Sequence, residues 1–436
     1  MEYYSIGELC SITKGSTGIM KAVPGPYPLV TTGPDRKSST DYEFDDEAVC
    51  IPLVSSTGHG HKSLNYIHYQ SGKFALGTIL AAVIPKDKNV LSAEYLQRYL
   101  VFFKDQLVVS LMKGAANVSL AVKDIAKIKV PVPPIIKQKE FIQLFNKAEN
   151  GKKNLLIENQ KQYSYLTKLR QAILQEAIEG KLTFDWRKEN PVRKGDPDYD
   201  AVALLEKIQT EKEKLISQGK LNKQKYISPI EAEEVPFELP EEWIWTRLDN
   251  ITEIFGGYAF QSTAYKKTGI RVIRISDFNE YGFTCHRIVR HAFVQEIKSF
   301  QLQTDDIIMA MTGGTVGKTL LIKKMPEQLV LNQRVAAIRV FSSFLTPFYI
   351  NFVMKAPLTQ TSISELKKST NDNISMKDIT SFLIPFPAAL EQKIIISRVE
   401  KHLSMVDELE KLVSERKEQS EQLMRAVLRE VFEGGR

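Results

Sequence analysis

Lys123-Asp124-Ile125, Pro131-Val132-Pro133, Gln138-Lys139 and the closing Leu169-Arg170-Gln171-Ala172-Ile173-Leu174-Gln175-Glu176-Ala177-Ile178-Glu179-Gly180 occur a second time in this chain. They return as Lys377-Asp378-Ile379, Pro385-Phe386-Pro387, Gln392-Lys393 and Leu423-Met424-Arg425-Ala426-Val427-Leu428-Arg429-Glu430-Val431-Phe432-Glu433-Gly434, at a constant shift of 254 and without a gap. A long segment present twice marks a duplicated domain, because a solenoid repeats a short unit many times. In the first copy Phe141, Leu144, Phe145 and Ala148 mark one amphipathic helix. A second is expected from about 152 to 179, with Leu155, Leu166, Leu169 and Ile173 on a 3-4 spacing and Gly180 as its cap. In the second copy Val406, Leu409, Val413, Leu423 and Val427 take heptad positions. Arg416 and Ser420 interrupt that run, as Asn159 and Gln162 interrupt the first. Matching seams with matching interruptions predict that the two helices pair with each other.

Outward from the repeat, residues 1 to about 117 read as a mixed domain of short strands. Tyr27-Pro28-Leu29-Val30, residues 48–54 and residues 74–84 read as strands, and residues 93–109 have helical spacing. A linker rich in charge and proline follows Gly180, with a helix over residues 201–217. From Trp243 the first pattern returns: residues 248–254 match the apolar spacing of Ile6, Leu9 and Ile12, and Gly256-Gly257 falls where Lys14-Gly15 lay. The shift here is 242, so the second mixed domain is about a dozen residues longer. Strands are expected at 270–275, 306–311 and 335–340. The division is a first mixed domain at 1–134, a helical region at 135–180, a linker at 181–240, a second mixed domain at 241–387 and a second helical region at 388–436. The fold class is α+β: two similar mixed α/β domains separated by a pair of long antiparallel coiled-coil helices, related by a pseudo-two-fold internal repeat.

Composition narrows the class. The chain has 436 residues, 43% hydrophobic and 25% charged, as in an ordinary soluble protein. No apolar run reaches spanning length and Met1-Glu2-Tyr3-Tyr4 is not a signal peptide, so the expectation is a cytoplasmic protein with no membrane partner. Three scattered cysteines, Cys10, Cys50 and Cys285, read as buried thiols. The net charge of +7 permits a polyanion partner. A dyad across paired helices would place the two domains at opposite ends of a bar. A 28-residue helix at 1.5 Å per residue spans roughly 42 Å, a little over one turn of B-DNA, so the bar would act as a ruler between two short sequences.

The chain resembles, over essentially its whole length, the specificity (S) subunit of type I restriction–modification systems, the HsdS family. The resemblance is carried by residues 306–318 (Asp-Ile-Ile-Met-Ala-Met-Thr-Gly-Gly-Thr-Val-Gly-Lys), Leu331-Asn332-Gln333-Arg334-Val335, the Pro-x-Pro entries to the helices, and Gly180-Lys181-Leu182-Thr183 with Asp185-Trp186-Arg187. It implies a non-catalytic DNA-reading subunit that binds double-stranded DNA and two modification (methyltransferase) subunits, with two restriction subunits as further partners. S-adenosylmethionine would belong to the modification subunit, and ATP and Mg to the restriction subunit. The whole would be an adenine-N6 DNA methyltransferase and type I site-specific endonuclease. The first domain departs from the pattern, with only Ser56-Thr57-Gly58-His59-Gly60-His61-Lys62 in place of the Gly-Gly-Thr-x-Gly-Lys string.

Residues 312–319 also resemble a phosphate-binding P-loop, since Gly317-Lys318-Thr319 supply its end. The first position is Thr312 where glycine is required, and Leu320-Leu321-Ile322 reads as a strand, not the helix whose N-terminus would hold phosphate. A loop whose amides and Lys318 meet DNA phosphates, with Thr312 or Thr315 near base edges, fits better. His59, His61, His68, His286 and His291 lack a carboxylate or cysteine at ligand spacing, so no metal is expected. Asn190-Pro191-Val192-Arg193 fails the Asn-Pro-Pro-Tyr methylation motif, and no catalytic residues are assigned. The expected DNA-contacting residues in the second domain are Tyr258, Gln261, Arg274, Ser276, Asp277, Asn279, Thr312, Thr315, Lys318, Gln333 and Arg334. In the first they are Lys14, Thr31, Thr32, Arg36, Ser56, His59, His61 and Lys62. Lys113, and Lys367 with Lys368, suit backbone contact. The rival readings are a coiled-coil interaction scaffold without sequence-specific DNA binding, and an enzyme that hydrolyses nucleotide or transfers methyl groups alone.

Overall fold

A computed structural model describes residues 2–57, 60–115, 117–221, 228–369 and 372–433. The chain divides into two units, residues 1–161 with 413–436 and residues 162–412, so each long helix contributes to both.

In the first unit, β1 (Tyr3–Ser5) enters α1 (Ile6–Leu9), capped by a reciprocal Ser5–Glu8 box. Then come β2 (Cys10–Lys14), β3 (Tyr27–Val30), β4 (Lys37–Ser39), β5 (Phe44–Asp45), β6 (Ala48–Pro52), β7 (His68–Gln70), β8 (Lys73–Leu76) and β9 (Leu80–Pro85). Helices α2 (Ala93–Phe102), α3 (Lys104–Leu107) and α4 (Val122–Ile125) lead to β10 (Lys129–Pro131), which pairs with β1, and to α5 (Ile135–Ile178). An antiparallel sheet runs β2-β9-β6-β7, and a second runs β4-β3-β8-β5 with β3 and β8 parallel. Both faces of its central strands, β6 and β9, are buried. Val49, Ile51, Ala81 and Val83 turn toward Leu96, Leu100, Phe141 and Phe145, while Cys50, Leu80 and Ala82 turn toward Val30, Phe74 and Leu76 of the second sheet. Strands covered on both sides read as continuous apolar runs. That is why residues 74–84 look like one strand: they are β8 and β9, in different sheets, joined by a turn at Gly77.

The second unit repeats this plan. After α6 (Phe184–Glu189) and α7 (Ala201–Ser217) come β11 (Ile244–Arg247), α8 (Leu248–Ile251), β12 (Glu253–Gly256), β13 (Ile270–Ile273), β14 (Phe278–Asn279), β15 (Gly282–Phe283), β16 (Val289–His291), β17 (Ile307–Ala310), β18 (Thr319–Leu321), β19 (Leu329–Leu331) and β20 (Val335–Arg339). Helices α9 (Pro347–Lys355), α10 (Pro357–Ser369) and α11 (Met376–Ser381) precede β21 (Leu383–Phe386), which pairs with β11, and α12 (Ala389–Glu433). The sheets are β12-β20-β17-β18 and β16-β13-β19, again with one parallel pair, β13 and β19. Much of the extra length is the β14–β15 hairpin, placed between β13 and β16 where the first domain turns directly from β3 to β4. Cys285, just after that hairpin, is exposed, unlike the buried Cys10 and Cys50; a short inserted hairpin has no second layer to cover it.

The repeated prolines and glutamines make the same bonds in both copies. Buried Gln138 donates its amide to the Pro133 carbonyl at 2.8 Å, and buried Gln392 donates to that of Pro387 at 3.0 Å. Tyr95 and Tyr349, also 254 apart, donate their hydroxyls to the carbonyls of Pro131 and Pro385 at 3.2 and 2.6 Å. These contacts tie the end of each mixed domain to the start of its long helix.

Two expectations for the helices change. Residues 135–178 form one helix, not two, because Gly151 lies on an open face and an exposed glycine costs only about 1 kcal/mol relative to alanine. The seam also has a different phase. Ile395, Val399 and Val406 are anchored in the second unit's core, and a stiff helix carries that face forward to the sheltered positions Glu410, Val413, Lys417, Ser420, Met424 and Leu428. Leu409, Leu423 and Val427 therefore lie on the outside, 47%, 68% and 44% exposed, as does Leu169 at 43%. On α5 the sheltered row holds Leu155, Asn159, Gln162, Leu166, Arg170 and Ile173. Within the second unit the two helices run antiparallel: Arg170 meets Asp407 and Glu410, while Asp185, just past α5, meets Arg398. No helix among the described residues is long and apolar enough to cross a membrane.

Candidate nucleic-acid interface

In the second domain backbone bonds gather four connections at one end. Gly257 lets the chain close on the β19–β20 turn: a Cβ there would lie 2.3 Å from the Asn332 oxygen. Gln333 N–H then donates to the Tyr258 carbonyl at 3.0 Å, and Met311 N–H to that of Arg334 at 3.0 Å. Gly313 N–H donates to Asp372 O at 2.8 Å, and Asp372 N–H to Lys367 O at 3.2 Å. Residues 258, 311–318, 333–334, 367 and 372–374 are thereby brought together. Gly314, Thr315, Gln333 and Arg334 are exposed at the tip.

The remaining second-domain candidates are differently employed. Lys318 donates to the Ile275 carbonyl at 2.7 Å and lies over the Phe278 ring, so it ties two loops together instead of reaching out to phosphate. Burial lowers its pKa below the ordinary lysine value, with Asp277 opposing. Thr319–Leu321 is a strand, which leaves no helix N-terminus for a nucleotide phosphate. Arg274 grips buried Asp277 through two bonds of 2.8 Å, so neither charge is free for a base; Ser276, exposed beside them, donates to the same carboxylate at 3.2 Å. Asn279 accepts from Tyr281 and Gly282 amides and closes the hairpin turn. Tyr258 packs edge-on against Phe260 and tilted against Phe300. Gln261 is exposed in the same connection, Thr312 is bridged through its backbone to Asn373, and Lys367 pairs with Asp372 at 3.5 Å while Lys368 is exposed.

The first domain gathers the equivalent connections. Gly15 meets Leu76 and Gly77 as Gly257 meets Asn332: a Cβ would lie 2.5 Å from the Leu76 oxygen. Thr78 N–H donates to Thr17 O at 3.2 Å, Leu53 N–H to Ile79 O at 2.8 Å, and Ser55 N–H to Val118 O at 3.0 Å. Lys113 and Ser119 exchange two 2.8 Å bonds, and the Lys113 side chain reaches Asp124 at 3.3 Å. Lys14, Ser56, His61 and Lys62 are exposed; Thr31 is buried and Thr32 half-buried. His59 lies outside the described residues. Two residues were not legible from motifs. Thr78 occupies the place of Gln333. Glu43 accepts from the Ser16 and Thr17 amides at 2.8 and 2.9 Å and holds the loop after β2; burial pushes its pKa up, but bonds from Thr17, Ser16 and Leu76 outweigh that and keep it below the ordinary carboxylate range. Only the register of the two domains could have exposed them.

No group of three or more His, Cys, Asp or Glu side chains is placed to hold a metal among the described residues. Burial pushes the Cys10 and Cys50 thiols up to about 12. The family model described as the type I restriction modification DNA specificity domain matches residues 1–167 and 240–418, both mixed domains. The chain belongs to this family. Its specificity-domain relatives include the type I restriction enzyme EcoAI specificity subunit of Escherichia coli, 29% identical over 57% of this chain. The match spans 42% of the EcoAI subunit and 41% of the EcoEI one, so the chain spans about two fifths of the length of these curated relatives. Among solved structures, a chain from work on assembly and conformational transition of a type I restriction–modification system superposes with a TM-score of 0.63. It is 17% identical and covers 99% of this chain and 97% of its own. The HsdS subunit from Thermoanaerobacter tengcongensis gives 0.53 at 16% identity, covering 99% and 96%. At such identities the likeness is one of specificity-subunit fold.

Proposed function

We propose that this chain is the non-catalytic sequence-reading subunit of a type I restriction–modification complex in the cytoplasm. Each recognition domain, 1–134 and 241–387, reads one short half of a bipartite, asymmetric duplex site. The helical regions 135–180 and 388–436 set the unread gap and, with the linker at 181–240, dock two methyltransferase subunits; two restriction subunits complete the enzyme. Adenine-N6 methylation with S-adenosylmethionine, and cleavage with ATP and Mg, are the work of those partners. The observation that supports this best is the double occurrence of one topology with the same closed set of connections, tipped in one domain by Gly314, Thr315, Gln333 and Arg334 and in the other by Lys14, Ser56, His61, Lys62 and Thr78. Polar, glycine-assisted loops on a rigid sheet suit base edges and phosphates.

The test is exchange of residues 1–117 for those of another specificity subunit, followed by methylation mapping of the assembled complex. The expected result is a change in one half-site only. A change in both halves rejects independent reading. An interaction scaffold without DNA reading predicts no salt-sensitive, sequence-selective shift of duplex by the complex. A methyltransferase acting alone predicts methyl transfer from the isolated chain.

A further inference from the structure

In the first domain the connection leaving β3 carries Arg36 across the start of β7. Its Nε donates to Gln70 Oε1 at 2.9 Å, its Nη2 to the Tyr69 carbonyl at 3.1 Å, and its Nη1 meets His68 Nδ1 at 3.1 Å. All three acceptors are neutral, and no carboxylate among the described residues pairs with Arg36. A guanidinium has five N–H donors in a fixed fork. Three are engaged here, so two are left on a half-buried cation without a counter-ion.

His68 is built to hold this arginine. It is buried, and its ring stacks on the half-exposed Tyr66 at 5.8 Å and 13°. Burial first and the Arg36 charge second push its imidazole down to about 4, so the ring is neutral at neutral pH, and because a guanidinium only donates, Nδ1 is the accepting nitrogen. The second domain lacks the device. There Leu320 stands opposite Ile308 where His68 stands opposite Cys50, and the arginine of the matching connection, Arg274, is neutralised by Asp277. One domain therefore spends its loop arginine internally, whereas the other keeps it charged and oriented.

We propose that Arg36 is the first recognition domain's fixed fork for a pair of acceptors on duplex DNA, either the O6/N7 edge of a guanine or two phosphate oxygens, and that His68 is its positioning residue. This rests on the DNA-reading function proposed above. Neutral acceptors fix the plane of the fork without quenching its charge, which is the arrangement a bidentate contact needs.

The test uses the complete chain assembled with its methyltransferase subunits and a duplex carrying the site found by methylation mapping. Arg36→Ala is expected to weaken binding roughly 5- to 150-fold in a chain that still folds and assembles. If that variant does not fold, Arg36→Gln takes its place. Relaxed choice at one G·C pair of one half-site identifies a guanine. A uniform loss with the salt slope reduced by about one identifies phosphate. His68→Leu, the residue the second domain uses, is expected to weaken binding less, and the double variant to bind no worse than Arg36→Ala alone. Wild-type affinity, slope and specificity in a folded Arg36 variant overturn the proposal, and additive losses in the double variant overturn the role of His68. A wild-type complex without selective binding removes the DNA-reading function itself, and this contact with it.

Discussion

Arg187 donates to the Glu391 carboxylate at 2.6 Å, with their side chains only 8% and 3% exposed. Thr183 and the Trp243 indole donate to the same carboxylate at 2.6 and 2.8 Å. The contact joins the segment after α5 to the first turn of α12. Burial raises the Glu391 pKa, and Thr183, Arg187 and Trp243 oppose it. Arg187→Ala leaves a buried carboxylate short of its partner and is expected to destabilise the second unit by roughly 3–5 kcal/mol. Denaturant unfolding measures it, and a loss below about 1 kcal/mol contradicts the argument.

A neighbouring exposed pair gives a pH prediction. The Arg398 guanidinium bonds to Asp185 and holds its carboxyl down at about 2. A depressed carboxyl contributes stability above its unfolded pKa, near 4, and loses it as pH falls through the folded value. The difference in Tm between wild type and Asp185→Asn should be constant above about pH 4 and vanish toward pH 2. A difference that grows on acidification would count against it.

Two glycines should respond oppositely to alanine. At Gly257 a Cβ meets backbone at 2.3 Å, so Gly257→Ala should cost about 1–3 kcal/mol and open the loop end of its domain. At Gly151 nothing lies within 4 Å of a Cβ, and Gly151→Ala inside α5 should add about 0.5–1 kcal/mol. Unfolding midpoints of the two variants should move in opposite directions.

The ruler is tested by length. Four residues inserted in either long helix add about 6 Å, and the preferred gap between half-sites should widen by one or two base pairs. Methylation mapping reports the gap; an unchanged gap rejects the ruler.

The duplication was legible because Gln138 donates to the Pro133 carbonyl and Gln392 to that of Pro387, so proline and glutamine cannot drift apart in spacing in either unit. Tyr95 and Tyr349 carry the same signal but lie amid changed neighbours, which hides it. The phase of the seam is not legible from apolar residues alone. The inward face is set by Val399 and Val406 in the core and then passes through Glu410, Lys417 and Ser420, polar residues that an apolar pattern leaves out. Loop residues were the least legible. That Lys318 ends on Ile275, or Arg274 on Asp277, depends on how separate connections close together, and no spacing along the chain records that. Glu391 was hidden for another reason: its counterpart in the first copy is Lys137, so the repeat itself gave no hint of a buried acid.

The first unit holds residues 1–161 together with residues 413–436, and Leu428 packs against the cluster that contains Phe141 and Phe145. On the ribosome, β1 must wait for β10, some 130 residues later, before it can pair. The partner stretch of α12 emerges only after the whole second domain has been translated. Residues 1–161 are thus translated well before the stretch that completes their unit, and until it arrives the flank of α5 that Leu428 covers stays open.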